Sequence, residues 1–243
     1  MKDVFQILNS VDAPLVLDAA TGKGEFINVL KQNLGSYTQI IGIDASEKSV
    51  NYAQKVFSEN DVEIYKMDLE HLQFEDDHFD LVCLSNSLHH LEHPDKVFAE
   101  MMRVLKPGGM MLVTEMYRSG EQTDAQQTHI LMHHWIAAID RRCGVFHAET
   151  FTKDEILAMA KKLHLLKLKV EDFYYPVDNP KEARNCETLR KSCIDTFKRL
   201  ENIPDNEDLL NQGNNLMNRI QQIGCASASR LLITGYKKKI AHK

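Results

Sequence analysis

The chain has 243 residues, of which 43% are apolar, and its 29 Lys and Arg against 35 Asp and Glu give a formal charge of −6. This length supports a sizeable core, and the composition excludes a fibrous or wholly disordered protein. The acidic balance argues against a nucleic-acid partner, since such surfaces depend on Lys and Arg. No apolar run exceeds five residues, whereas a membrane helix needs about twenty, so we expect no membrane partner.

The cysteines and the first residues bear on the compartment. Five cysteines without a C-x-x-C pair are typical of reduced thiols in a cytoplasmic protein. Asp3 and Asp12 flank a short apolar stretch, which is not typical of a signal peptide. We therefore expect a cytoplasmic location.

In the first half, short apolar runs alternate with amphipathic stretches, which is typical of a parallel sheet covered by helices. The order predicted is β-α-β-α-β-β-α-β. The strands are expected at Leu15–Ala20, Ile40–Ile43, Val62–Lys66, Phe79–Leu84 and Met110–Glu115, and the helices at Gly22–Leu34, Ser46–Ser58 and Pro94–Leu105. Gly35 is the expected left-handed residue closing the first helix, and Pro107 to Gly109 are expected to stop the third.

In the second half, helices dominate. Residues 120–142 are predicted to be helical, and capping boxes are expected at 152–155 and 179–182. The first box precedes a helix at 156–163, which a sixth strand follows at 165–175. The second box precedes a helix that Pro204 breaks, and another helix then runs to Gly224. Residues 230–236 are the expected last strand, followed by three lysines that we expect to form a solvated tail.

The segment VLDAATGKG, residues 16–24, joins the first strand to the first helix. Glycine lacks a Cβ, so a ligand can approach the backbone of such a turn closely. The NAD fingerprint requires a third glycine where this chain has Ile27, and Asp18 would repel a pyrophosphate. A cationic ligand fits better, which indicates S-adenosylmethionine, whose sulfonium and ammonium groups are both positive.

Acidic residues also follow the second and third strands. Asp44 ends the second strand, where its carboxylate could accept hydrogen bonds from two ribose hydroxyls. Met67, Asp68 and Leu69 follow the third strand and could offer a carboxylate to an adenine amino group and apolar flanks to its ring. One acid at a strand end is equally well explained as a helix cap, but acids at three consecutive strands beside a glycine turn favour a cofactor site.

Further motifs are FDLVCL at 79–84, LHHLEHP at 88–94 and RVLKPGG at 103–109. With them, residues 15–115 resemble the class I S-adenosylmethionine-dependent methyltransferases, in particular the small-molecule group of the type 11 kind. The resemblance implies an α/β fold: a Rossmann-like doubly wound sheet of seven strands, mainly parallel with an antiparallel last strand, plus helical cap insertions. It also implies S-adenosyl-L-methionine as cofactor and SN2 methyl transfer to a small-molecule acceptor.

The same resemblance assigns cofactor-binding residues. The methionine part is expected to contact residues 18–24, the ribose Asp44, and the adenine residues 67–69, with further contacts beyond the fourth strand. The full predicted set is Asp18, Ala20, Gly22, Gly24, Asp44, Ala45, Met67, Asp68, Leu69, Ser85, Asn86 and His89. The family usually has glycine at the position of Ala20, so we expect a slightly tighter turn here.

The remaining histidines are candidates for the acceptor site. His129, His133 and His134 lie on the predicted helix after the fifth strand, where imidazoles could act as a general base or orient an acceptor. The alternative is an ordinary helix surface. His129, His133 and Asp140 could contribute to a metal site, but the spacing places no further ligand beside them, and we expect no metal ion. His147 could lie nearby, and the pair at 89–90 is equally typical of loop packing.

The sequence thus predicts a single methyltransferase domain over residues 1–243. Residues 1–118 are its expected cofactor-binding half, and residues 119–150 and 176–228 are the expected helical lid. Two other functions remain open: a non-catalytic module that binds S-adenosylmethionine or a partner, and a nicotinamide-dependent oxidoreductase. Ile27 and Asp18 weigh against the oxidoreductase.

Overall fold

The computed structural model describes residues 4–239, so Asp3 lies outside the described residues. The strands are β1 Leu15–Ala19, β2 Gln39–Asp44, β3 Val62–Lys66, β4 Phe79–Ser85, β5 Leu105–Met116, β6 Leu166–Phe173 and β7 Arg230–Tyr236. The helices are α1 Glu25–Asn33, α2 Glu47–Val56, α3 Pro94–Val104, α4 Asp124–Arg142, α5 Lys153–Lys162, α6 Ala183–Leu200 and α7 Glu207–Gln222. Short 3-10 helices cover Val4–Ser10 and Leu88–His90. None of the helices within residues 4–239 combines the length and apolarity needed to cross a bilayer.

The strands form one sheet in the order β3-β2-β1-β4-β5-β7-β6. β7 is antiparallel to both of its neighbours, and the other pairs are parallel. The predicted fold class is therefore confirmed. From β1 the chain adds β2 and β3 on one side and β4 and β5 on the other. Ligands of doubly wound sheets bind beyond the carboxyl ends of the strands at such a reversal.

The central strands are apolar on both faces because helices cover both sides of the sheet. Val16 of β1 pairs in register with Leu81 of β4, and Leu17 pairs with Val82. The first pair packs into the core on one face of the sheet, and the second pair packs into the core on the other. This two-sided burial holds the ends of β1 and β4 in fixed positions beside each other.

The helices α4, α6 and α7 pack on one another around an apolar core of their own. Trp135 of α4 lies in this core and donates a hydrogen bond from Nε1 to the Leu209 carbonyl at 2.8 Å. A Cβ at Gly213 would overlap Trp135 and Phe197, so glycine lets α7 approach closely. These helices lie in the two segments predicted as a lid; the domain boundaries at 118, 150, 176 and 228 stay predictions.

The two predicted glycine stops are wrong. α1 ends at Asn33 with Leu34 as its C-terminal cap, and Gly35 is needed because a Cβ there would lie 2.6 Å from the Asn9 carbonyl oxygen. The Pro107–Gly109 motif does not follow α3 as a loop but lies within β5. Gly108 donates its N–H to the Lys237 carbonyl at 2.9 Å, so the first lysine of the expected solvated tail is paired instead.

Of the two predicted capping boxes, one forms. Thr152 and Glu155 cap α5 as expected. At the start of α6 the N-cap is Glu182, and among the described residues no side chain caps it. Asn179 accepts a hydrogen bond from the Lys181 N–H at 3.2 Å instead, so its side chain closes a local turn ahead of the helix.

The expectation that all five cysteines are free thiols is wrong for two of them. Cys186 of α6 and Cys225, beyond α7, form a disulfide, with Cα atoms 5.3 Å apart. The free thiols are Cys83, Cys143 and Cys193, of which Cys143 is exposed. The pairing spans 39 residues, and no local spacing in the sequence indicates it.

We predict that alkylation of the unfolded, unreduced protein modifies three thiols, and that prior reduction raises the number to five. In the folded protein Cys143 should react first, since burial holds the pKa of the Cys83 thiol well above its usual range. Intact mass measurement gives the count directly. Five modified thiols without reduction would show that the disulfide does not form.

Candidate functional site

A cavity of about 980 Å³ opens at the carboxyl ends of β1, β2, β3 and β4, within the range of ligand sites. Its far wall includes His133 of α4 and the following residues Val145 and Phe146. The predicted cofactor residues that line it are Ala20, Gly22, Asp44, Ala45, Asp68, Leu69, Ser85 and Asn86. The switch point of the sheet thus brings together side chains from four separate loops.

The other predicted cofactor residues, Asp18, Gly24, Met67 and His89, are not among the lining residues of this cavity. Gly24 has φ +84°, and a Cβ there would overlap the Phe57 ring. This glycine therefore serves the packing between the start of α1 and the end of α2 rather than the approach of a ligand. Met67 packs against the core cluster that contains Leu69 and Leu72.

Asp44 connects two of the loops that surround the cavity. One carboxylate oxygen accepts the Gly22 N–H at 2.9 Å, and the other accepts the Ser46 N–H at 2.8 Å. Ser46 in turn caps α2 by accepting the Ser49 N–H. The alternative interpretation of Asp44 as the helix cap is wrong, since Ser46 caps α2, and the Asp44 carboxylate lines the cavity.

Asp18 is buried directly behind the glycine turn. One of its oxygens accepts a hydrogen bond from the Thr21 hydroxyl at 2.6 Å, and the other has no partner among residues 4–239. The pKa of Asp18 is raised to about 7, chiefly by burial; the hydrogen bond from Thr21 lowers it in part, and the nearby negative Asp44 adds to the rise. A positively charged ligand beside Thr21 would favour the ionised form of Asp18.

The turn itself has left-handed backbone at Ala20, with φ +54°, and at Gly22, with φ +56°. A Cβ at Gly22 would meet no described atom within 4 Å, so this glycine leaves open space at the cavity surface. The open space, the unpartnered Asp18 oxygen and the ring of carboxylates fit a cationic nucleoside cofactor. These features suit the positive charges and the ribose hydroxyls of S-adenosylmethionine.

We predict that Ala20→Gly stabilises the protein by up to about 1 kcal/mol. A left-handed alanine costs about 1–2 kcal/mol, and the greater freedom of glycine in the unfolded chain offsets about 0.5–1 kcal/mol of the gain. Gly22→Ala is the matched control, since it places alanine in the same backbone region and should destabilise. Urea unfolding measures both, and a destabilised Ala20→Gly protein would contradict the strain at this turn.

Hydrogen bonds define the protonation of the candidate histidines. His129 Nδ1 accepts the Ala228 N–H at 3.0 Å, so the neutral ring carries its proton on Nε2. That proton lies toward His133 Nε2, 3.3 Å away, which leaves His133 protonated on Nδ1. Burial, with Arg230 and His89, lowers the pKa of His129 to about 4, and burial with His129 and His89 lowers the pKa of His133 well below its usual value.

His133 is therefore a neutral hydrogen-bond donor at the cavity wall, since its acceptor nitrogen is already occupied. His134 bonds to the Thr150 hydroxyl at 2.9 Å, and neither it nor His129 lines the cavity. Of the three candidate histidines only His133 lines the cavity. As a neutral hydrogen-bond donor it is better suited to orienting an acceptor than to removing a proton from it.

His89 is buried, and its Nδ1 lies 3.0 Å from Glu115, while the neighbouring His90 is exposed and lines the cavity. The sequence motif identified the pair but not which member reaches the site. Thr21 and Lys23 also line the cavity and were not predicted, although they lie within the glycine turn at residues 16–24. Val145 and Phe146 belong to no periodic pattern, so nothing in the sequence indicated that they line the cavity.

Comparisons with known proteins agree with this geometry. A family described as methyltransferase domain matches residues 17–113. The chain is 33% identical over 104 residues to a ubiquinone/menaquinone biosynthesis C-methyltransferase UbiE of Pseudomonas entomophila, covering 41% of each. The chain therefore spans less than half the length of that curated relative.

Solved structures share the whole fold. The YcgJ protein of Bacillus subtilis aligns over 97% of both chains with a TM-score of 0.61 at 19% identity. A Haemonchus contortus phosphoethanolamine N-methyltransferase 2, solved with phosphomonomethylethanolamine and S-adenosylhomocysteine, aligns over 93% of this chain and 49% of its own with a TM-score of 0.55 at 20% identity. At these sequence identities the structural similarity shows a shared fold and no more. The methyltransferase-domain match over residues 17–113 covers less than half of the chain, and in this segment the chain is similar to known methyltransferases.

Proposed function

We propose that this protein transfers a methyl group from S-adenosylmethionine to a small-molecule acceptor. The observation that carries the proposal is the cavity of about 980 Å³, which joins the loops of the sheet to the wall formed by His133, Val145 and Phe146. Its volume admits a nucleoside cofactor and a second small molecule side by side.

The chain's own residues would hold the cofactor by charge and hydrogen bonding. Asp44 would accept hydrogen bonds from the ribose, and the turn at Gly22 would let the amino-acid part approach the backbone. Asp68 and Leu69 would contact the adenine, and buried Asp18 would supply negative charge behind Thr21. When bound, the cofactor supplies an electrophilic methyl carbon.

The helical wall would act on the acceptor. Val145 and Phe146 expose 55% and 42% of their surface beside the cavity, and burying them against an acceptor would exclude water. The His133 N–H would orient a hydroxyl or carbonyl oxygen. Alignment and desolvation are the main contributions that such a transfer needs, because positive charge disperses as the methyl group moves.

For the acceptor we propose an uncharged ring compound with a polar substituent. The apolar side chains at the mouth and the neutral donor at His133 support it, as do the ubiquinone and menaquinone named for the curated relative. Nucleic acid and membrane are not proposed as partners. We propose a cytoplasmic location, in which Cys186 and Cys225 form a disulfide and the other cysteines are reduced.

Calorimetry followed by product analysis tests this function. We expect S-adenosylmethionine and S-adenosylhomocysteine to bind and NAD not to bind. With a quinol and with phosphoethanolamine as acceptors, mass spectrometry should detect S-adenosylhomocysteine formation, larger with the quinol. Binding of NAD alone would overturn the proposal, and cofactor binding without transfer to any acceptor would favour the non-catalytic module.

We predict that Asp44→Ala weakens S-adenosylmethionine binding by more than about tenfold. Charged hydrogen bonds contribute about 1.5–3 kcal/mol each, and this substitution also releases the Gly22 N–H. Glu47→Ala is the control, because Glu47 is an exposed acid at the start of α2 outside the cavity lining. Equal affinities for the two variants would mean that Asp44 does not contact the ribose.

We predict that S-adenosylmethionine affinity rises with pH between about pH 6 and pH 8, by at most about tenfold per unit. The pKa of Asp18 is raised to about 7, so below that pH the free protein holds a proton there that a cationic ligand must displace. Above it the carboxylate is already ionised, and affinity levels off. Asp18→Asn should abolish this dependence in calorimetric titrations, and an unchanged profile would contradict the assignment.

A further inference from the structure

Three histidines meet where the 3-10 helix Leu88–His90 touches the segment after α4. They are His89, His90 and His147, and one ring nitrogen of each lies within 4.8 Å of those of the others. The rings of His90 and His147 have their centroids 4.0 Å apart, and those of His89 and His147 lie 5.4 Å apart. The Ala148 N–H donates a hydrogen bond to the His89 carbonyl oxygen at 2.8 Å, which holds the two segments together.

His89 is oriented by a carboxylate. Its Nδ1 lies 3.0 Å from Glu115, which also accepts the Leu88 N–H at 2.7 Å and the Met116 N–H at 3.1 Å. Because Glu115 already accepts these two backbone N–H groups, His89 is a further donor to it, and the proton of its ring lies on Nδ1. The lone pair on Nε2 is therefore free, and within the described part of the chain this buried atom has no hydrogen-bond partner.

His147 repeats this arrangement from the other side. Its Nδ1 lies 2.6 Å from Asp140, which also pairs with Arg199. The Nε2 atom of His147 is likewise buried and unpartnered among residues 4–239.

We propose that His89, His90 and His147 bind a divalent transition-metal ion, Zn²⁺ in particular. Two buried lone pairs with no partner are costly unless a ligand meets them. Metal-bound histidines in proteins characteristically donate their other nitrogen to a carboxylate, as both buried rings do here. Zinc takes imidazole nitrogens at about 2.0–2.1 Å, and exposed His90 can shift to complete the set.

Other nearby side chains are already engaged. The acceptor nitrogen of His133 receives the His129 proton, and Asp140 is shared by His147 and Arg199. Three nitrogen ligands leave a tetrahedral ion one open position, which is typical of catalytic zinc. Because His90 lines the cavity, an ion held by these residues would lie beside the space proposed for the acceptor.

The ion would bind an oxygen, nitrogen or sulfur atom of the acceptor in that position and lower its pKa. This role rests on the proposed methyl transfer, whereas the metal site itself does not. It would supply the activation that neutral His133 cannot provide.

The test is calorimetric titration of the full chain with ZnCl₂, without cofactor, after removal of any histidine tag and treatment with EDTA. We expect about one ion per chain at an open three-ligand site. Asp140→Asn should weaken binding about 10- to 100-fold, as for other residues that orient ligands, and His147→Gln and His90→Gln should weaken it more. His164→Gln, at an exposed histidine after α5, should bind as the wild type does.

Cobalt substitution provides a second readout. Co²⁺ at this site should give the intense visible absorption of four-coordinate cobalt, and Zn²⁺ should displace it. If His147→Gln fails to fold, His90→Gln tests the same site at its exposed ligand. Absence of zinc binding by the folded wild type, or equal binding by the ligand variants, would overturn the proposal. S-adenosylmethionine binding, measured on the same samples, decides the proposed function separately.

Discussion

The parallel pairing of β1 between β2 and β4 is the constraint on which the site depends. It places the ends of these strands at one edge, so Asp18, Asp44 and Ser85 follow from backbone register rather than from local sequence. The Gly22 N–H and the Asp44 carboxylate then join two of the loops directly. A ligand between them meets backbone and carboxylate at fixed positions, because apolar packing on both faces of the sheet prevents the strands from shifting.

Two groups of buried titratable side chains lie near this edge of the sheet. Behind the glycine turn lies a carboxyl group whose ionisation burial opposes. Across the cavity lie imidazoles that burial keeps neutral, each with its proton assigned by a neighbour. The first arrangement favours positive charge at the floor of the cavity, and the second supplies donors and lone pairs without charge. The two walls therefore suit different parts of a reaction.

The sequence predicted most of the fold because the signals there are local. The runs at 62–66 and 230–236 have the observed bounds, since each is a short apolar stretch between turn residues. The glycine stops failed because Gly35 and Gly108 are required by contacts with Asn9 and Lys237, which lie far away in the chain or in another element.

The site was predictable only in part for the same reason. Strand ends indicate Asp44 and Asp68 because parallel strands bring their ends together. Nothing local pairs His147 with His89, since α3, β5 and α4 lie between them in the chain. The Cys186–Cys225 disulfide could not be predicted from the sequence either, because only the packing of α6 against α7 brings those residues together.

The position of β7 between β5 and β6 has a consequence for how the chain folds. β7 follows every other helix and strand in the chain, yet β5 has no neighbour on that side until β7 arrives. Contacts between elements so distant in sequence form late, because the intervening chain must first be closed into a loop. During that interval the apolar β5 presents an unpaired edge, which is the feature that promotes aggregation of incomplete sheets. Slow strand insertion, rather than loss of the finished fold, is thus the stage at which this protein is most exposed to misassembly.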